Sequence, residues 1–203
     1  MSDNFVVHII DDDDAARQSL AFLLSTAGMA VRLYPSASAF LDSIGDLQPG
    51  CLVTDVRMPE MTGIELLQKL RARSVSLPAI VMTGHGDVAL AVEAMKAGAL
   101  DFIEKPYGED AMLSAVHAAK EIVEKTGHPA EDSAALQEKL GALSQRERQV
   151  LDGLVAGKPN KVIANELGIS PRTVEVYRAN LMTKMEATSF SHLLRMALLA
   201  PGD

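Results

Sequence analysis

Cys51-Leu-Val-Thr-Asp55-Val-Arg-Met-Pro59 is the stretch from which the fold is read. Its first four residues have the apolar and β-branched character of a short buried strand. The strand delivers one carboxylate, Asp55, to its end, and a proline soon after marks a turn. Two other stretches have the same form. Phe5-Val-Val-His-Ile-Ile10 runs into Asp11-Asp12-Asp13-Asp14, and Leu100-Asp-Phe-Ile103 runs into Lys105-Pro106.

Working outward, residues 1–125 alternate short apolar runs with amphipathic ones. Strands are expected at Phe5–Ile10, Ala30–Tyr34, Cys51–Thr54, Ala79–Met82 and Leu100–Ile103. Helices are expected at about 14–27, 36–44, 62–73, 87–97 and 109–125. Gly28 and Gly98 follow two of these helices as C-cap residues. Leu66, Leu67 and Leu70 stripe the third helix, and Ala91, Ala94 and Met95 the fourth. Five strands alternating with five helices predict an α/β doubly wound, five-stranded parallel sheet. Such sheets bind ligands at the carboxyl ends of their strands, near the topological switch point. Asp11, Asp12, Asp55, Thr83 and Lys105 all fall just after a predicted strand.

Residues 126–143 read as a linker, polar and turn-rich at first, then helical with Leu136, Leu140 and Leu143 in register. Residues 144–203 read as an all-α domain of four helices. Ser144 with Glu147 forms a capping box, and Gly157 and Gly168 close the first two helices. Ser170-Pro171 opens a longer third helix to about Met185, and Phe190–Leu199 is the fourth. A short helix, a glycine turn and a longer helix form a helix-turn-helix pattern.

Of the 203 residues, 48% are hydrophobic and 23% charged, as in ordinary globular domains. No apolar run approaches the ~18 residues of a membrane span, and no basic leader precedes the first strand. The single cysteine, Cys51, excludes an intrachain disulfide and reads as a buried strand residue. These features point to a cytoplasmic protein with no membrane partner. Residues 1–125 hold 10 Lys and Arg against 18 Asp and Glu, whereas residues 144–203 hold 8 against 6. An acidic front and a mildly basic back suggest two modules with different partners.

A strand-end carboxylate can act as a nucleophile toward a phosphoryl group. Because both are anionic, a divalent cation must bridge them, and Mg²⁺ does so with one or two carboxylates and waters. Asp11 and Asp12 are placed to hold it. Lys105 would neutralise the far side of the phosphoryl group, and Thr83 would offer it a hydroxyl. Asp13 and Asp14 are better explained as a solvated helix start. A rival is an aspartyl-phosphate phosphohydrolase, but those enzymes carry a second Asp two residues after the nucleophile. Arg57 stands there in this chain.

Ile10-Asp-Asp-Asp13, Val53-Thr-Asp55-Val-Arg-Met-Pro59, Met82-Thr-Gly84 and Glu104-Lys-Pro106 resemble the receiver domain of two-component response regulators, over about residues 4–122. The resemblance implies Asp55 as phosphoacceptor and a Mg²⁺ site of Asp11, Asp12, Asp55 and the backbone oxygen of Arg57. It implies Thr83 and Phe102 as a switch pair, Lys105 as the phosphate-contacting lysine, and a cis Lys105–Pro106 bond. It also implies a phosphorylation-dependent homodimer through the fourth helix and fifth strand, with Val88, Val92, Met95, Lys96 and Asp101 as candidates.

Leu143-Ser-Gln-Arg-Glu-Arg-Gln-Val150-Leu, Asn160-Lys-Val-Ile-Ala164 and Ser170-Pro-Arg-Thr-Val-Glu175-Val resemble the LuxR-type helix-turn-helix domain, over about residues 140–200. On the third helix of this domain, Val174, Tyr177, Leu181 and Met185 share an inner face. Arg172, Glu175, Val176 and Ala179 share an outer one, suited to base edges and thymine methyls. Lys161, Thr173, Arg178, Asn180 and Lys184 flank it as candidate phosphate contacts. Together the two modules resemble the NarL/FixJ family. Thr83-Gly-His-Gly-Asp87, Ala91-Val-Glu-Ala-Met-Lys-Ala97 and Ile169–Asn180 carry the wording of its FixJ branch, though Tyr177 stands where relatives often have His. That resemblance implies a sensor histidine kinase (FixL-like, haem-based), promoter DNA and RNA polymerase as partners. The genes implied are those of microaerobic growth or nitrogen fixation.

Overall fold

The structure is a computed structural model that describes residues 5–84, 88–124 and 133–199, with the side chains of Val88 and residues 133–135 outside that description. His85, Gly86 and Asp87 of the FixJ-like wording therefore lie outside the described residues, as does the polar stretch 125–132 of the expected linker. The chain divides into two compact units, 1–86 with 97–128, and 87–96 with 129–203.

In the first unit five strands form one parallel sheet. They are β1 (Val6–Ile10), β2 (Ala30–Tyr34), β3 (Gly50–Asp55), β4 (Ala79–Thr83) and β5 (Asp101–Glu104), and their order across the sheet is β2-β1-β3-β4-β5. Four helices of this unit connect or follow them: α1 (Asp14–Thr26), α2 (Ala37–Asp42), α3 (Gly63–Ala72) and α5 (Glu109–Glu124). The helix α4 (Val88–Lys96) joins β4 to β5 and groups with the second unit. A short 3₁₀ turn at Ile44–Asp46 replaces the end of the expected second helix.

The strands are buried apolar runs because helices cover both faces of a parallel sheet. Val7, Ile9, Cys51, Val53, Ile80 and Met82 cluster with Leu20, Ala21 and Leu24 of α1 and with Met112, Ala115, Val116 and Ala119 of α5. Fully buried side chains such as Leu24 and Met112 each contribute about 1.5–3 kcal/mol by leaving water. On the other face His8 is buried against Phe40 and Tyr34. The carbonyl of Gln48 can only accept, so His8 donates to it from Nε2 at 3.1 Å and accepts from the Tyr34 hydroxyl at Nδ1, 3.3 Å. Burial holds its pKa below the usual imidazole value, partly opposed by the Gln48 bond. His8 is thus a neutral, satisfied core residue.

In the second unit, described by itself, α6 (Ser133–Gly141) precedes α7 (Gln145–Val155), α8 (Asn160–Leu167), α9 (Pro171–Lys184) and α10 (Phe190–Leu199). Local chemistry sets each end. Ser144 and Glu147 form the expected capping box, Gly168 closes α8 at φ 66°, and the Ser170 hydroxyl caps α9 ahead of Pro171. Val150, Leu154, Ile163, Val174, Leu181, Met185, Leu193 and Leu194 are buried as the core.

Candidate functional site

Strand order places the site. The switch point of a β2-β1-β3 sheet lies between β1 and β3, and Asp11 follows one strand while Asp55 ends the other. Lys105 arrives from the end of β5, where its amide donates to the Thr83 carbonyl at 2.8 Å. Its ammonium donates to Asp11 Oδ2 at 3.0 Å and to Asp55 Oδ1 at 2.5 Å. Burial opposes the charge on Lys105, but the hydrogen bonds and charges of Asp55 and Asp11 outweigh it and raise its pKa. The lysine therefore stays cationic. The Lys105–Pro106 peptide is cis.

The β3–α3 turn closes on the same carboxylate, since the Arg57 amide donates to Asp55 Oδ2 at 2.6 Å. Gly63 sits so close beneath it that a Cβ there would stand 2.3 Å from the Asp55 carbonyl oxygen. Sequence reasoning missed Gly63. The available signal was a glycine at the first position of α3, inside a Thr62–Glu65 capping box, where a better helix former would otherwise be favoured.

Thr83 is 1% exposed, and its Oγ1 has no hydrogen-bond partner among the described residues. A buried orphan hydroxyl costs about 1–3 kcal/mol, so its persistence at the strand end suits a residue that meets an acceptor there. Phe102, half-buried on β5, pairs in register with Val81, two residues before Thr83, whose own partner is Glu104.

The candidates for Mg²⁺ differ in burial. Asp11, 3% exposed, and Asp55 share Lys105. Asp12 is exposed and has no side-chain partner among the described residues. Among the described residues no cluster of three or more His, Cys, Asp or Glu is assembled as a cation cage. Mg²⁺ requires no such cage. Two carboxylates with waters suffice, so the donor set of Asp11 and Asp55 fits this ion.

On the helix-turn-helix, Lys161, Arg172, Glu175, Val176, Ala179 and Asn180 are exposed, with Val176 at 55%. An outward-facing valine without a partner suits an apolar contact in a groove. Thr173 is half-buried, its hydroxyl 2.8 Å from that of Ser170. Two expected phosphate contacts have partners within their own unit. The Arg178 guanidinium lies 4.4 Å over the Phe190 ring and donates to Asn160 Oδ1 at 3.1 Å. The Lys184 ammonium donates to Glu147 Oε2 at 2.8 Å. Arg178 thereby links α9 to α8 and α10, and Lys184 links it to α7.

Exposure varies along the expected pairing face. Val92 and Met95 are 2% and 5% exposed, since the helical period puts them on the apolar stripe with Ala91 and Ala94. Lys96 is exposed and Asp101 half-buried. The side chain of Val88 lies outside the described residues.

Fold and site together define a receiver-type α/β module joined to a helix-turn-helix module. Residues 7–117 match the response regulator receiver domain, and residues 141–197 match the bacterial regulatory proteins of the luxR family. The chain belongs to the two-component response regulators of the NarL/FixJ type. It is 56% identical over 206 residues to the transcriptional regulatory protein FixJ of Azorhizobium caulinodans, covering 100% of this chain and 98% of that relative. It is 41% identical over 191 residues to the response regulator protein TmoT of Ectopseudomonas mendocina, covering 94% and 87%. The crystal structure of full-length FixJ from B. japonicum superposes with a TM-score of 0.57 at 51% identity, covering 96% of each chain. The family consists of transcription regulators rather than enzymes, which sets the phosphohydrolase rival aside. Receiver and LuxR-type modules together imply a histidine kinase partner and promoter DNA. Among the described residues no helix is long and apolar enough to cross a membrane.

Proposed function

We propose that Asp55 is the phosphoacceptor of this transcription regulator, and that the phosphate drives pairing of two chains on promoter DNA. The observation that supports it is one lysine, Lys105, bonded to two carboxylates at the switch point of the sheet. Asp55 Oδ would form the P–O bond as the P–N bond to the kinase histidine breaks, and the departing imidazole keeps the bonding pair and takes up a proton. Mg²⁺, held by Asp11 and Asp55, with Asp12 and the backbone oxygen of Arg57 as further candidates, would neutralise the phosphoryl oxygens. Lys105 remains charged throughout and turns from Asp55 toward the new phosphate. The orphan Thr83 hydroxyl gains an acceptor, and Phe102 follows into the space it leaves.

Output would pass through the outer face of α9. Arg172, Glu175, Val176 and Ala179 meet base edges, while Lys161, Thr173 and Asn180 hold phosphates. Pairing is assigned to the α4–β5 region, where Lys96 and Asp101 remain accessible and Val88, Val92 and Met95 take part only after α4 repacks. The kinase partner would be FixL-like and haem-based, the setting cytoplasmic, and the targets microaerobic or nitrogen-fixation promoters served by RNA polymerase. FixJ relatives favour that regulon.

Selection of genomic fragments by phosphorylated protein, beside an Asp55→Asn control, tests this. Phosphorylation should enrich a few promoter fragments carrying a two-fold repeat. Equal enrichment by the control would remove Asp55 as the trigger, and no enrichment by either form would remove DNA as the target.

A further inference from the structure

Four consecutive carboxylates, Asp11 to Asp14, leave β1 and enter α1; Asp11 is buried and bonds Lys105, while the other three are exposed. The turn that achieves this is held by an inward-pointing cation. Arg17 donates from Nη1 to the Asp11 carbonyl at 2.6 Å and from Nη2 to Asp14 Oδ1 at 2.5 Å. Its side chain is only 11% exposed, whereas Asp14 is 76% exposed. The remaining turn bonds are local. The Asp13 amide donates to Asp11 Oδ1 at 3.0 Å, and Asp13 Oδ1 caps Ala15 and Ala16. Arg17 is the member of this set that ties the helix back to the backbone of the pocket residue itself.

We infer that Arg17 is a positioning residue for the acidic pocket: by gripping the Asp11 carbonyl from α1, it aims the Asp11 carboxylate at Lys105 and Asp55 and so sets the affinity for Mg²⁺. The inference rests on the proposed phosphoacceptor pocket. The bland alternative is a solvated i, i+3 ion pair with Asp14, which would be worth little. It does not account for the second arm on a backbone carbonyl or for the burial of the guanidinium. A charged donor on a carbonyl is also among the stronger hydrogen bonds.

Two effects of Arg17 on Mg²⁺ have opposite signs, which makes the inference testable. If Arg17 acted only as a nearby positive charge, removing it would tighten Mg²⁺ binding. If it positions Asp11, removing it weakens binding, as loss of an outer-shell partner commonly does by about 10-fold or more.

The experiment titrates MgCl₂ into the full chain by calorimetry for wild type, Arg17→Met, Arg17→Lys and Asp14→Asn. Thermal unfolding without Mg²⁺ checks that each variant folds. Arg17→Met should raise the Mg²⁺ dissociation constant about 10-fold. Arg17→Lys, which keeps the charge but not the fork, should weaken binding less and carries the test if the methionine variant does not fold. Asp14→Asn should bind as wild type does. Phosphorylation by acetyl phosphate should be slow at limiting Mg²⁺ in Arg17→Met and recover at saturating Mg²⁺, a shift in half-saturation without a change in limiting rate. Unchanged or tighter binding in both Arg17 variants overturns the inference, as does an equal loss in Asp14→Asn. Absence of Mg²⁺ binding by wild type would instead overturn the pocket reading, and this inference with it.

Discussion

Glu147 is a nearly buried carboxylate, 4% exposed, whose Oε2 accepts three hydrogen bonds. The Ser144 amide donates at 2.8 Å, the Ser144 hydroxyl at 2.7 Å and the Lys184 ammonium at 2.8 Å. One oxygen thus ties the start of α7 to the end of α9, the helix that would enter DNA. The Lys184 bond first, then the Ser144 hydroxyl and amide, hold the carboxyl down at about 2 against the slight opposition of burial. Relative to an ordinary 4.5 this corresponds to roughly 3 kcal/mol at about 1.4 kcal/mol per pH unit. Lys184 is 41% exposed, so solvent screening reduces that to about 1–2 kcal/mol. Glu147→Gln should therefore lower the midpoint of the helical unit's unfolding by about 5–10 °C at pH 7. Because the folded pKa is depressed, this stability is fully present above pH 4.5 and is lost as pH falls toward 2. Urea unfolding of wild type and Glu147→Gln, followed by circular dichroism at pH 7, 5 and 3.5, reads the gap directly. It should be constant between pH 7 and 5 and narrower at 3.5. A gap that does not change with pH would refute the reasoning, as would a Lys184→Met variant as stable as wild type.

Thr83→Ala removes the orphan hydroxyl, and should leave phosphorylation of Asp55 by acetyl phosphate intact while abolishing the gain in DNA binding; equal DNA binding by both phosphorylated proteins would remove the switch role. Gly50→Ala places a Cβ 1.8 Å from the Val6 carbonyl oxygen, so the β1–β3 pairing must open and stability should fall by more than the ~1 kcal/mol of an average substitution; a wild-type melting curve would contradict this. Lys161→Ala should weaken binding to all DNA sequences and make the salt dependence of binding shallower. Glu175→Ala should instead relax base preference at one position of the half-site, which fragment selection would detect.

Much of the fold was legible because its signals are local. Apolar runs, Gly28 and Gly168 as helix stops, and the Ser144–Glu147 box act over a few residues, and each reappears in the structure. The class of site was legible too, since α/β topology sends every strand-end polar group to one edge of the sheet. Tertiary structure decided which of those groups meet. Asp11 and Asp55 meet on Lys105 while the neighbouring Asp12 stays exposed, a difference that no local period specifies. Arg178 and Lys184 looked like free cations on a helical wheel, but Phe190 and Glu147, distant in sequence, claim them. Val92 and Met95 looked like docking residues and are buried. Sequence alone determined the elements, their order and the chemistry available at the strand ends. The pairing of charges, the burial of Val92 and Met95 and the close approach of Gly63 to Asp55 were decided by the tertiary structure, because these depend on through-space distances that no local period encodes.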